Sequence, residues 1–144
     1  ILVTPIQVFN YVNLLATKGK SNSPHLVSST KKDSESEIPL SSQIWDRIIF
    51  DMGQVISHAK GTGKNADPAI QGAKIYGKTG TAENPHGEDH AWFIGWVEYE
   101  KKKFSIVVLL ENSGSGGAVA APLAKNVFNK IILGINNSKQ ISMK

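Results

Sequence analysis

Apolar positions recur at helical spacing in three stretches of the chain and at strand density in three more. Val8, Tyr11, Val12 and Leu15 mark the first helix. Thr4-Pro5-Ile6-Gln7 supplies its start: Thr4 can cap, Pro5 suits the first helical position, and Gln7 can complete a capping box. Gly19 ends it. Residues 25–28 read as a short extended segment, and residues 30–42, polar and Ser-rich with Pro39, read as a loop. A second helix, capped by Ser41 or Ser42, carries Ile44, Ile48, Ile49, Met52, Val55, Ile56 and Ala59 on one stripe. Gly61-Thr62-Gly63 breaks it, and a polar link follows over residues 64–71.

Three strands are expected at residues 73–82, 91–99 and 103–110, the last two joined by Glu100 to Lys102 as a hairpin loop. Gly114, Gly116 and Gly117 then lead into a final helix with Leu123, Val127, Phe128, Ile131 and Ile132 on one side. Pro122 falls in its first turn or kinks it. A polar tail is expected to fray from Asn136. Contiguous strands with a tight hairpin predict an α/β (α+β) fold, an antiparallel sheet packed against helices. A doubly wound parallel sheet is excluded, because it needs a crossover between strands.

The chain has 144 residues, 40% hydrophobic and 19% charged, which suits one folded domain or part of one and not a disordered chain. The longest apolar run, around Ile106 to Leu110, suits a buried strand, so neither a membrane helix nor a signal peptide is expected. The chain opens at Ile1 in mid-pattern, which implies a piece of a longer protein. The absence of Cys removes disulfides, thiolate chemistry and Cys-based zinc sites. The net charge is +4, and its main cluster, Lys101-Lys102-Lys103, lies between apolar runs as a solvated hairpin tip, so no nucleic-acid partner is expected.

Residues 72–79, Gly-Ala-Lys-Ile-Tyr-Gly-Lys-Thr, fit the spacing of a phosphate-binding loop. Such a loop needs a strand before it and a helix starting at the Lys-Thr. Here the preceding stretch is polar and Gly80 and Pro85 follow, so nucleotide binding is the minor alternative. Read as a strand, Lys78-Thr79-Gly80-Thr81 sets a cation and two hydroxyls beside a glycine that lets a substrate backbone lie close. Alternation puts Lys78 and Gly80 on one face and Thr79 and Thr81 on the other. An edge of this kind can pair with an extended peptide and hold a carboxylate.

The longer block, Lys78-Thr79-Gly80-Thr81-Ala82-Glu83-Asn84-Pro85-His86-Gly87 followed by Asp89-His90-Ala91-Trp92-Phe93, resembles the third catalytic motif and next strand of penicillin-binding transpeptidases. It looks most like the class B, penicillin-binding protein 2 (elongation) type. Thr4-Pro5-Ile6-Gln7, Pro24-His25-Leu26-Val27 and the Gly-rich lead into a Pro-containing helix are similar to that family as well. The resemblance implies the penicillin-binding protein/β-lactamase-like fold, C-terminal part only, with residues 1–135 in the domain and 136–144 as the polar tail. It implies peptidoglycan D,D-transpeptidation through a serine acyl-enzyme, with D-Ala-D-Ala stem peptides and β-lactams as ligands and no cofactor or metal. By that resemblance Lys78 and Thr81 are catalytic, Thr79, Gly80 and Thr81 bind substrate, and the Thr81 N–H is half of an oxyanion hole. It further implies the upstream half of the domain and the cell-wall elongation machinery as partners, and a place on the periplasmic side of the cytoplasmic membrane.

Three S-x-x-K matches, Ser28 to Lys31, Ser29 to Lys32 and Ser57 to Lys60, do not open a buried helix, and S-x-N is absent. The nucleophile is therefore expected before Ile1, and the piece alone is expected to be inactive. His86 and His90 lie four apart among acidic residues, a spacing for a metal loop. Pro85 and Gly87 favour instead a turn in which His90 or Asp89 bonds loop backbone at the rim. His25 and His58 carry no assigned role, and Trp92, Phe93 and Trp96 are expected in the core or on the sheet face. A β-lactamase or penicillin sensor shares the same strand, and a non-catalytic interaction module is the alternative from another class.

Overall fold

A computed structural model describes residues 2–21, 24–25 and 36–142. Helix α1 spans Pro5–Ala16 and starts as its sequence dictates. The Gln7 N–H donates to Thr4 Oγ1 at 3.4 Å, and the Thr4 N–H donates to Gln7 Oε1 at 2.8 Å. Val12, Leu15 and Ala16 are buried, whereas Tyr11, expected on the same face, is exposed. The chain turns at Lys18 and Gly19, both at positive φ. Strand β1 (Lys20–Ser21) then pairs with β2 (Ser36–Glu37), which corrects the loop expected over 30–42. Backbone groups that pass side by side pair whatever their side chains. The extended segment expected at 25–28 lies outside the described residues beyond His25.

Helix α2 is Ser42–Ser57, so it ends before the glycines expected to break it. Its buried residues are Trp45 and Ile56; Ile44 and Ala59, placed on the stripe from spacing, are exposed. Lys64–Ala66 form one 3-10 turn that buries Ala66.

Strands β3 (Lys74–Ala82), β4 (His90–Tyr99) and β5 (Lys102–Leu110) form an antiparallel sheet in that order. Tyr99 pairs with Lys102, so the hairpin loop is the two residues Glu100 and Lys101, with φ of 49° and 65°. Both central residues at positive φ match the right-handed strand twist, where a type I or II turn would splay the strands. Gly77 sits opposite Gly95, and the Phe93 ring covers both. A Cβ on Gly95 would collide with the Tyr76 carbonyl, so the close approach itself requires glycine there.

One face of the sheet presents Ile75, Ala91, Phe93, Val97 and Val108 to Ala120, Ala121, Ala124, Phe128 and Ile132. The last four belong to helix α3 (Ala121–Ser142), which continues a wide π turn over Gly116–Ala120. Leu123 and Val127, expected on the buried side, are exposed; small alanines take that side because they let the helix lie close to the sheet. Pro122 has no N–H for the helix ladder, and the wide turn falls where that bond is missing. The tail expected to fray from Asn136 is helical as far as Ser142, and the Tyr99 hydroxyl donates to Asn136 Oδ1 at 3.0 Å. Against expectation, one segment, Gly116–Ser138, is long and apolar enough to cross a membrane, with mean hydropathy 1.3. Its buried stripe, Ala120, Ala121, Ala124, Phe128 and Ile132, packs it on the sheet, while Leu123, Val127 and Leu133 face outward.

The other face packs Trp96, Tyr76, Ile94 and Val107 against Val12, Leu15 and Ala16 of α1 and Trp45 of α2. Tyr76 and Trp96 stack with ring centroids 4.9 Å apart. The Lys103 ammonium donates to the Ala16 carbonyl at 2.7 Å and pairs with Glu98 at 3.0 Å, a cation at the C-terminal end of α1. Helix, sheet and helix thus form three layers.

Truncating Phe128 to Ala should lower stability by about 3–5 kcal/mol, the range for a buried aromatic side chain. An unchanged urea midpoint would remove α3 from the core. Burial, and secondarily the charge of Glu98, hold the Tyr76 phenol above the ordinary tyrosine value. Its contribution to stability is full below the unfolded value of about 10 and is lost as pH rises through the higher folded value. Tyr76→Phe should therefore flatten the alkaline fall in the urea midpoint; an identical fall in both proteins would contradict this.

Candidate active site

β3 lies at the edge of its sheet, and Lys78-Thr79-Gly80-Thr81 occupies the end nearest the loop into β4. The expected alternation is present. Lys78, Thr79 and Gly80 line a cleft of about 250 Å³ with Val3, Val8, Trp92 and Ile94. Thr79 and Thr81 lie opposite Phe93 and Ala91, on the face that meets α3. That side opens on a groove of about 570 Å³ lined by Thr62, Lys64, Ser115 and the whole stretch Lys78-Thr79-Gly80-Thr81.

Each threonine hydroxyl in the groove has a partner. Thr79 Oγ1 lies 2.7 Å from Thr62 Oγ1, in the loop after α2. The Gly116 N–H donates to Thr81 Oγ1 at 3.4 Å. The Lys78 ammonium donates to the Thr79 carbonyl at 2.7 Å. Gly116 reaches Thr81 because it has no side chain: a Cβ there would collide with the Gly80 and Trp92 carbonyls. The next carbonyl, Gly117, accepts from Asn65 Nδ2 at 3.0 Å. The structure therefore brings Lys78, Thr79, Gly80 and Thr81 together and adds Thr62, Asn65, Gly116 and Gly117. Spacing marks Gly61-Thr62-Gly63 as a helix breaker and Gly116-Gly117 as a helix lead; neither signal tells which strand they touch.

The rim is built as expected from Asp89 and His90. Asp89 Oδ1 accepts from the Asn84 N–H at 3.4 Å, and its carbonyl accepts from the N–H groups of Ser113 and Gly114, both at 2.9 Å. The Asn112 N–H donates to His90 Nδ1 at 3.0 Å. Among the described residues no three His, Asp or Glu side chains are grouped to hold a metal. Phe93 and Trp96 are fully buried, and Trp92 is partly exposed in the cleft.

The phosphate-loop reading meets a physical obstacle. Lys78 and Thr79 lie inside β3, where successive amides point in opposite directions and cannot wrap one anion. Ser57, the S-x-x-K serine within the described residues, is the last residue of α2 and donates to the Gly53 carbonyl at 3.0 Å. Chemically, the edge strand can take up an extended peptide by backbone pairing, with a cation and two oriented hydroxyls at one end for a carboxylate.

The family model described as penicillin binding protein transpeptidase domain matches residues 1–129. A protein of Haemophilus influenzae named peptidoglycan D,D-transpeptidase MrdA is 32% identical over 151 residues, covering 88% of this chain and 23% of that protein. The chain thus spans about a quarter of that relative's length. Among solved structures, Pseudomonas aeruginosa PBP2 in complex with WCK 5153 aligns with a TM-score of 0.76 at 34% identity, over 88% of this chain and 29% of the other. The imipenem acyl-enzyme complex of penicillin-binding protein A from M. tuberculosis aligns with a TM-score of 0.72 at 28% identity, over 90% of this chain and 31% of that one.

Proposed function

The chain belongs to the penicillin-binding protein transpeptidase domain family, and from that membership we propose that it forms the C-terminal, K-T-G-bearing part of a peptidoglycan D,D-transpeptidase of the penicillin-binding protein 2 type. Residues 1–135 form that part of the domain, and 136–144 follow as its polar end. The observation that carries the reading is the edge strand Lys78-Thr79-Gly80-Thr81 with its hydroxyls held by Thr62 and Gly116.

In this reading a stem peptide ending in D-Ala-D-Ala lies along β3 as an added strand. A hydroxyl that accepts one hydrogen bond still has its own proton to give. Thr81 accepts from Gly116, and Thr79 accepts from Thr62 when it donates outward. Both hydroxyls then donate to the terminal carboxylate, or to that of a β-lactam. Lys78 supplies positive charge beside them. A serine outside this chain attacks the penultimate carbonyl, terminal D-Ala leaves, and an amine of a second stem takes the acyl group. The Thr81 N–H is one donor to the oxyanion, a contact worth about 3 kcal/mol of barrier. No cofactor or metal enters these steps. The remaining half of the domain and the cell-wall elongation machinery are the protein partners, on the periplasmic side of the cytoplasmic membrane.

The test is labelling of the full-length protein by fluorescent penicillin. Lys78→Ala should slow acylation by about 100-fold, the lower end of the effect of losing such a stabilising group. Thr81→Val should slow it by about tenfold, the loss of one charge-assisted hydrogen bond. Rates equal to wild type in both variants would sink the assignment. Residues 1–144 alone should take up no label, and stoichiometric labelling would place the nucleophile within this chain.

A further inference from the structure

Residues 83–89 and the exit from β5 are tied together across β4, which separates β3 from β5 in the sheet. Asn84 Nδ2 donates to Asn112 Oδ1 at 2.6 Å. Asn112 stands at a φ of 50°, the left-handed region, which asparagine adopts more readily than most L residues. Its side chain is held by Asn84, and its own N–H donates to His90 Nδ1 at 3.0 Å. The next two N–H groups, of Ser113 and Gly114, both donate to the Asp89 carbonyl. Two residues further on, Gly116 seats on the β3 and β4 backbone at Gly80 and Trp92 and donates to Thr81 Oγ1.

We propose that His90 is a positioning residue of the site: through Nδ1 it fixes the Asn112 turn, and the turn holds Gly116 on Thr81. The imidazole nitrogen that accepts carries no proton, so the ring proton is on Nε2. Beyond these bonds and the Asn84–Asn112 contact, few side chains set this path. Gly114 and Gly116-Gly117 have no side chains to pack, and Ser115 lines the open groove. Backbone of that composition takes its course from its anchors, Asp89 and His90 at one end and Asn65 and Thr81 at the other. Loss of the His90 anchor frees the Gly116 N–H from Thr81. The Thr81 hydroxyl then satisfies itself with other acceptors or donors and is no longer pre-set to donate to a carboxylate. The effect on acylation rests on the transpeptidase reading; the effect on the turn does not.

The test uses the full-length protein with His90→Ala and His90→Asn. Asparagine places Oδ1 where histidine has Nδ1, so it restores an acceptor without a ring. Hydrogen exchange over residues 112–117 is followed together with the acylation rate by fluorescent penicillin. His90→Ala should speed exchange at least tenfold in that segment, with the core of α3 unchanged, and slow acylation about tenfold; His90→Asn should return both toward wild type. Unchanged exchange in the Ala variant would overturn the proposal, as would a folded Asn variant that stays as impaired as Ala. Where the Ala variant does not fold, His90→Gln, whose oxygen lies one carbon further out, replaces it with the same expectation. A wild-type protein that takes up no penicillin would refute the transpeptidase reading, while exchange in 112–117 still decides the role of His90.

Discussion

The pairing register between β3 and β4 is the constraint on which the rest depends. A slip of one residue would exchange the faces of β3. Thr79 and Thr81 would then turn toward α1, and Lys78 and Gly80 would meet Gly116. Two opposed devices pin the register. On one face the Phe93 ring covers the Gly77–Gly95 pair, and no other residue in that row would leave room for it. On the other face Tyr76 and Trp96, the adjacent pair, stack at 4.9 Å. Bulk on one side and its absence on the other are offset by one residue, so a shifted pairing loses both at once.

Much of this was legible in the chain itself, for local reasons. The capping box at Thr4 and Gln7 lies within one turn, and the three strands alternate or run apolar over their full length. The face assignment of Lys78, Thr79, Gly80 and Thr81 followed from alternation alone. The misses are tertiary. Trp45 is buried because α1 and the sheet converge on it, a matter the α2 pattern does not record. On α3 the alanines face the sheet while Leu123 and Val127 face out, since the distance between layers, not hydrophobicity, chose that face. Thr62 and Gly116 reach the site from 17 and 35 residues away from the threonines they touch, and only the folded chain shows it.

The site therefore has two kinds of part. In the proposed reading β3 carries the groups that meet a ligand, and segments from three other places hold their hydroxyls. Thr62 comes from the loop after α2, Gly116 from the lead into α3, and the anchors of that lead from the β3–β4 loop. A hydroxyl without such a partner rotates to suit whatever is near, and the ordering cost then falls on binding. Orientation made in advance by backbone and threonine removes that cost from the encounter.

The outer edge of β3 has a further consequence, for solubility. Proteins commonly protect an exposed strand with proline, a bulge or a covering loop, so that copies of the chain do not add to one another. An edge that receives a peptide, as proposed for β3, can use none of these without closing itself. Charge is what remains, and Lys78 sits in the middle of the exposed stretch with its ammonium on the neighbouring carbonyl of Thr79. A second copy of the chain, with its net charge of +4, brings like charge to this edge, whereas a peptide ending in a carboxylate brings the opposite sign. In the proposed reading, charge at this edge favours ligand over self where backbone pairing alone accepts both.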